Sequence, residues 1–339
     1  MTSSLPSRLG FGLMLALGTA SRAAAQVTTF VANVGYQSPA LVAPAVFLSS
    51  SAASGARVWT VGIAGFTLSA DLTKRTSPTV AMVLRAEATP VNANSSRYVY
   101  RDGRRDPALG FRDRTVRLSA GLRVQGSARW RMDVRVIGLY ESVAGVADST
   151  VVARWRAPYV GLGIETNYSR VVSDDVFNAR WDGFKAAGSA AGFLGSQPWW
   201  KSQLSFGWGR QVGRVNLRGR AWFLLGHNLD VVNQHLVGGC WDLTESPPLY
   251  GYHYAEFRVD RGGVLAGGVD LRLAGDWELG LRVGYLTSPA RSTYGEAVRL
   301  STIWSGIRLH FGVGLPAASL FRGGAEAPLV FAGVSAGVF

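Results

Sequence analysis

Arginine and carboxylate side chains recur at every second position along this chain, spaced so that they face one way. In residues 115–125, Thr115, Arg117, Ser119, Gly121, Arg123 and Gln125 are polar or small, while Val116, Leu118, Ala120, Leu122 and Val124 between them are apolar. After the turn Gly126-Ser127-Ala128-Arg129 the alternation resumes, with Arg131, Asp133 and Arg135 set against Trp130, Met132, Val134 and Val136. The same polar face continues through Arg85, Glu87, Glu165, Arg218, Arg220, Glu256, Arg258, Asp260, Asp270, Arg272, Glu278, Arg282, Arg299 and Arg308. A guanidinium keeps its charge when partly desolvated and grips carboxylate or phosphate through two parallel bonds. If this face lines a wet channel, its surplus of arginine draws anions in. The candidate selectivity residues are then Arg117, Arg123, Arg131, Arg135, Arg218, Arg220, Arg272 and Arg282. If the enclosed space is narrow, the same residues pair across neighbouring strands and nothing passes. Both readings stay open at this point.

Other groupings point to chemistry less firmly. The stretch 97–114 holds Arg97, Arg101, Arg104, Arg105, Arg112 and Arg114 against Asp102, Asp106 and Asp113. It could grip lipopolysaccharide phosphates outside, fold inward as a constriction, or stand as a solvated loop of mixed charge. His227, Asp230, His235, Cys240, Asp242 and His253 are metal-ligand types, but no pair shows a recognised ligand spacing. His310 with Ser301 and Ser305 nearby suggests a hydrolase only weakly, since no G-x-S-x-G is present. The glycine-rich stretches 188–195 and 262–268 follow no strand–loop–helix pattern. No catalytic residue, cofactor or metal site is assigned.

The elements that must position these residues are strands. Successive strand side chains point to opposite faces, so each run has one oily and one polar face. Strands are expected at 27–36, 58–71, 79–88, 115–125, 130–140, 158–168, 204–211, 215–225, 254–260, 264–274, 277–286, 298–313 and 329–339. A further strand could lie within 183–195, and the parity switch near Trp304 reads as a β-bulge. The 42 glycines and 13 prolines interrupt the chain too often for long helices. Short turns alternate with long connections at 90–114, 143–152, 171–201 and 226–253, the latter expected on one outer side. Trp59, Trp130, Trp155, Trp208, Trp222, Trp277 and Trp304 are placed to form interfacial girdles.

Composition narrows the setting. Residues 9–19 form an apolar stretch behind Arg8, and Ala23-Ala24-Ala25 offers a cleavage site, so residues 1–25 read as a secretory signal. Residues 26–339 then read as one domain. No later stretch supplies the roughly 18 apolar residues of a membrane helix, although 47% of the chain is hydrophobic and only 17% charged. The single Cys240 excludes an intramolecular disulfide. A formal charge of +13 invites a nucleic-acid reading, but the arginines alternate along strands with acids among them instead of forming one patch. Outer-membrane lipid, lipopolysaccharide and small anionic solutes are the expected partners.

The chain ends on Phe339 within the apolar set Val330, Phe331, Ala332, Val334 and Val338. This resembles the C-terminal signal of bacterial outer-membrane β-barrels, although Gly333, Ser335 and Gly337 stand where larger apolar residues are usual. The resemblance is to the class and carries no family-specific motif. It implies an all-β fold, a transmembrane antiparallel up-and-down β-barrel of 12 or 14 strands with both ends in the periplasm. The function expected is porin-like passage of small anionic solutes. The alternatives are a closed structural or interaction barrel with surface-binding loops, and an outer-membrane hydrolase.

Overall fold

The computed structural model describes residues 26–37, 40–52, 57–64, 67–89, 99–101, 104–106, 110–145, 155–175, 180–240, 247–253, 255–304, 307–316 and 328–338. The expected signal segment 1–25 and the terminal Phe339 lie outside the described residues. The elements in chain order are β1 (Gln26–Gln37), β2 (Ala40–Ala52), β3 (Arg57–Ala64), β4 (Thr67–Arg75), β5 (Val80–Thr89), β6 (Val99–Arg101) and β7 (Arg104–Asp106). Then come β8 (Phe111–Ser127), β9 (Trp130–Gly145), β10 (Trp155–Asp175), β11 (Arg180–Leu194), β12 (Trp199–Val212) and β13 (Val215–His227). The last are β14 (His235–Val237), β15 (Phe257–Val259), β16 (Gly262–Arg272), β17 (Glu278–Thr287), β18 (Ser292–Trp304), β19 (Ile307–Pro316) and β20 (Leu329–Val338).

Among the described residues, sixteen of these strands close into one antiparallel barrel, each pairing with its sequence neighbour and β20 returning to β1. The pairs β6–β7 and β14–β15 form separate two-stranded ribbons. The up-and-down architecture is as expected, but the count exceeds the 12 or 14 read from sequence. Two expected strands are each a hairpin. Residues 58–71 divide into β3 and β4, and 298–313 into β18 and β19, with Trp304 opposite Ile307. The parity switch at Trp304 is therefore a chain reversal, not a bulge, and Ser305-Gly306 is the two-residue turn signal that marks it. β2 had no expectation because its serine- and alanine-rich sequence alternates weakly. β11 occupies the tentative 183–195 segment. Residues 254–260 do not join the barrel, and only Phe257–Val259 pairs there, with β14.

The outward face meets lipid. Leu118, Val160, Leu162, Leu265 and Leu281, on four strands, are each more than half exposed and point outward. A water-soluble domain does not leave so continuous an apolar surface open, whereas a barrel presents such a band to acyl chains. Among the described residues no helix is long and apolar enough to cross a membrane, and the apolar band is carried by strands. Trp208, Trp277 and Trp304 sit on this outer face as a girdle would. Trp222 does not: it is buried on the inner wall.

Both terminal strands open at one end, called the base here. The described turns at the base are tight. Ser77 Oγ accepts the Val80 N–H at 3.1 Å and Ser127 Oγ accepts that of Trp130 at 3.1 Å. Gly213 and Gly275 take positive φ in the turns before β13 and β17, where a side chain would be strained. The described connections at the opposite end, the rim, are 195–198, 228–240, 247–253, 255–261 and 288–291. Residues 171–201 are not one outer connection as expected. They contain β11, so the chain turns first at the base and then at the rim.

Candidate functional site

Sixteen strands enclose a lumen wide enough for water, so what fills it decides what the barrel can do. The connection 228–261 between β13 and β16 supplies the filling. Val237, Cys240, Leu249, Tyr250, Tyr252, Phe257 and Val259 are buried together with the inward side chains of Trp222, Leu224, Val264, Leu286 and Phe331. The rimward inner wall of β13, β16, β17 and β20 is thus apolar, against the expectation of a polar lining throughout.

Three inward glycines make room for this segment. A Cβ on Gly284 would stand 3.3 Å from the Pro248 carbonyl oxygen, and one on Gly314 would stand 2.6 Å from the Gly251 nitrogen. A Cβ on Gly295 would collide with the Tyr250 carbonyl. β17, β18 and β19 therefore offer a nearly smooth wall on which the backbone of the segment lies directly. Sequence reasoning missed this seat. Its signal was present as glycine at inward positions on three consecutive strands.

Polar contacts fasten the segment on both sides of the lumen. The Tyr252 hydroxyl shares a hydrogen with Thr293 Oγ1 at 2.6 Å and donates to the Tyr294 carbonyl at 3.2 Å, on β18. Across the lumen, Asn233 Nδ2 donates to Glu141 Oε2 of β9 at 3.2 Å, and Lys201 Nζ of β12 donates to the Asn233 carbonyl at 3.4 Å. Arg258 Nη1 donates to the Val231 carbonyl at 2.6 Å, and its guanidinium lies 5.1 Å from the centre of the Phe111 ring. Leu229 packs against Ile137, Tyr159, Phe193 and Trp199 on β9 to β12. His235 holds the Leu225 carbonyl at 3.0 Å. Burial is the largest influence on His235 and keeps its pKa below the ordinary histidine value, with Lys201 adding to the effect.

Toward the base the lumen is ionic. Asp270 of β16 is fully buried and forms ion pairs with Arg282, with Arg299 at 3.1 Å and with Arg218 at 3.8 Å. Arg299 also reaches Glu278 at 3.4 Å. On the other wall Arg123 grips Asp133 through two bonds of 2.8 and 2.7 Å. Arg85 binds Asp71, Arg117 lies 3.8 Å from Glu87, and Arg135 pairs with Glu165. Cross-strand neighbours that alternate in sign have paired, as geometry on one sheet face allows.

The eight candidate selectivity residues thus separate. Arg117 and Arg135 line the remaining cavity of about 680 Å³, together with Arg85, Glu165, Lys201 and Gln203. Arg123 is bound to Asp133 below it. Arg218 and Arg282 belong to the buried Asp270 cluster. Arg220 is half-buried on β13, and Arg131 and Arg272 are exposed near the base. Ser301 and His310 are brought opposite each other on β18 and β19, both buried. Glu278 lies opposite Ser301 on the next strand, and none of these three side chains lines the cavity beside Arg117 and Arg135. Among the described residues no three His, Cys, Asp or Glu side chains gather as a metal site.

No family model and no curated protein sequence matches the chain. Solved structures do resemble it. BamA from Haemophilus ducreyi lacking POTRA domains 1-3 aligns with a TM-score of 0.67 at 10% identity, over 92% of this chain and 70% of that one. CdiB from Acinetobacter baumannii aligns with a TM-score of 0.56 at 10% identity, over 92% of this chain and 60% of that one. CdiB from Escherichia coli gives 0.53 at 14% identity, over 92% and 63%. The chain spans under two thirds of either CdiB chain. At such identities the likeness is one of fold, and the fold is that of a bacterial outer-membrane β-barrel.

Proposed function

We propose that this chain is an outer-membrane β-barrel held closed by its infolded segment, working as a membrane-embedded interaction barrel and not as a passive pore. The observation that carries the reading is the placement of the described residues of this segment inside the lumen, Tyr252 fastened to β18 on one side and Asn233 to β9 and β12 on the other. The paired arginines support it as well, since a guanidinium already bound to Asp270 or Asp133 offers little field to a passing anion. The likeness to BamA and CdiB supports an outer-membrane barrel and adds no support to porin-like diffusion.

A gated conduit is the second reading. The 680 Å³ cavity beside Arg85, Arg117, Arg135 and Lys201 favours it, being large enough for a small anion once the segment moves aside. Conductance in a planar bilayer separates these. The refolded chain should insert and stay silent, while a variant with residues 229–256 replaced by a short glycine-serine linker should conduct. Steady anion-selective conductance from the unaltered chain would overturn the closed-barrel reading.

A further inference from the structure

The outward face of the barrel near the rim carries arginines where a lipid-facing surface ends. Arg114 of β8 stands opposite Ser142 of β9, and Ser142 stands opposite Arg156 of β10, so the three form one row across neighbouring strands. Arg112 lies two residues further toward the rim on the same face. All three arginines are exposed. Among the described residues none of them has a hydrogen-bond or ion-pair partner.

The acids adjacent to this row along β8 and β9 are turned away from it. Asp113 and Glu141 are next in sequence to this row, but alternation turns both inward, where they are 1% and 2% exposed. One step toward the base the outward row becomes Val116, Tyr140 and Pro158, and the next is Leu118, Gly138 and Val160. The apolar band therefore begins about 7 Å below this row, two residues along a strand. With strands about 4.8 Å apart, Arg114 and Arg156 straddle a gap of roughly 10 Å, closed at its centre only by the small Ser142.

We propose that Arg112, Arg114 and Arg156 form a docking site for the phosphates of a lipopolysaccharide-type headgroup in the outer leaflet. The inference rests on the outer-membrane reading, with the base toward the periplasm. An anionic headgroup is the occupant that the geometry fits. Its acyl chains would lie on Val116, Leu118 and Val160, and its phosphates would meet arginines at the height where acyl chains give way to headgroups. Planar guanidiniums take phosphate oxygens in pairs, and the low polarity at the edge of the hydrocarbon strengthens each bond.

The test uses native mass spectrometry on the refolded full chain in detergent, with bisphosphorylated lipid A and fully dephosphorylated lipid A as probes. The unaltered chain should retain the bisphosphorylated form and release the other. The triple variant R112Q/R114Q/R156Q should bind the bisphosphorylated form about tenfold more weakly, and K74Q/R170Q/R210Q, altered on the outward face near the base, should bind it normally. Equal retention by the triple variant, or equal retention of both lipids by the unaltered chain, would overturn the site. Faster gel migration of unheated samples reports the folded barrel. Its persistence in the triple variant ties a lost lipid to the arginines. Its absence in the unaltered chain would overturn the membrane reading and the site with it.

Discussion

Gly314 on the inner wall and Gly251 in the infolded segment meet backbone to backbone, so closely that a Cβ on Gly314 would stand 2.6 Å from the Gly251 nitrogen and 2.9 Å from Cys240 Sγ. Neither residue can grow without moving the other. The seat of the segment is therefore read from what is missing on β19. Cys240, whose sulfur accepts the Gly251 N–H at 3.4 Å, reports on whether the seat is filled.

Gly314→Val should unseat the segment while leaving the barrel folded. Overpacking a site of this kind costs about 1–3 kcal/mol, enough to raise the open population by roughly 5- to 150-fold. The rate of maleimide labelling at Cys240 should rise accordingly, with heat-modifiable gel migration unchanged. Labelling at the unaltered rate would show that the segment does not rest on β19.

Asp270→Ala should weaken the barrel itself. It leaves Arg218, Arg282 and Arg299 buried without their common carboxylate. Removing one member of such a cluster costs about 3–5 kcal/mol, read as a lower urea midpoint for loss of heat-modifiable migration. Asp270→Ala combined with Arg282→Met should recover part of that loss, because fewer unpaired charges remain.

Tyr252→Phe removes the hydroxyl that bridges Thr293 and the Tyr294 carbonyl. Each bond contributes about 1 kcal/mol net. Brief openings should appear in bilayer recordings where the unaltered chain gives none, and they should grow longer when Asn233→Ala releases the contact to Glu141.

Acid should loosen the segment through His235. Burial lowers its pKa in the folded state, and Lys201 acts in the same direction, while the bond to the Leu225 carbonyl and the charge of Asp260 oppose them. The released segment therefore takes up a proton more readily than the seated one. The seated state keeps its full advantage above about pH 6.5, the ordinary histidine value, and loses it as pH falls through the lowered folded value. Openings should be more frequent at pH 5 than at pH 7.5, and His235→Gln should flatten the difference. An unchanged pH response in that variant would assign the effect to another group.

Much of the barrel was legible along the chain. Strands β8 and β9 alternate so regularly that their two faces and the reversal between them are legible, whereas the pair Arg123–Asp133 depends on a register shift between Gln125 and Ser127 that only the structure shows. Hairpins with very short connections were less legible, because β18 and β19 read as one run until Trp304 is seen opposite Ile307. The run at Phe257–Val259 alternates like a barrel strand and yet pairs inside the lumen with β14. Period-two alternation states that a strand has two unlike faces, and it is silent on whether the apolar face meets lipid or a folded segment.

The amino-acid order alone determined the all-β class and the segregation of apolar side chains to one strand face and of arginines and acids to the other, since these depend on local spacing and the two-residue period of a strand. The number of strands, the pairing that consumes the arginine surplus at Asp270, and the closure of the lumen were decided only in three dimensions. A closed barrel fixes which strands become neighbours, and the seat for the infolded segment exists only where Gly284, Gly295 and Gly314, on three consecutive strands, come side by side on one wall.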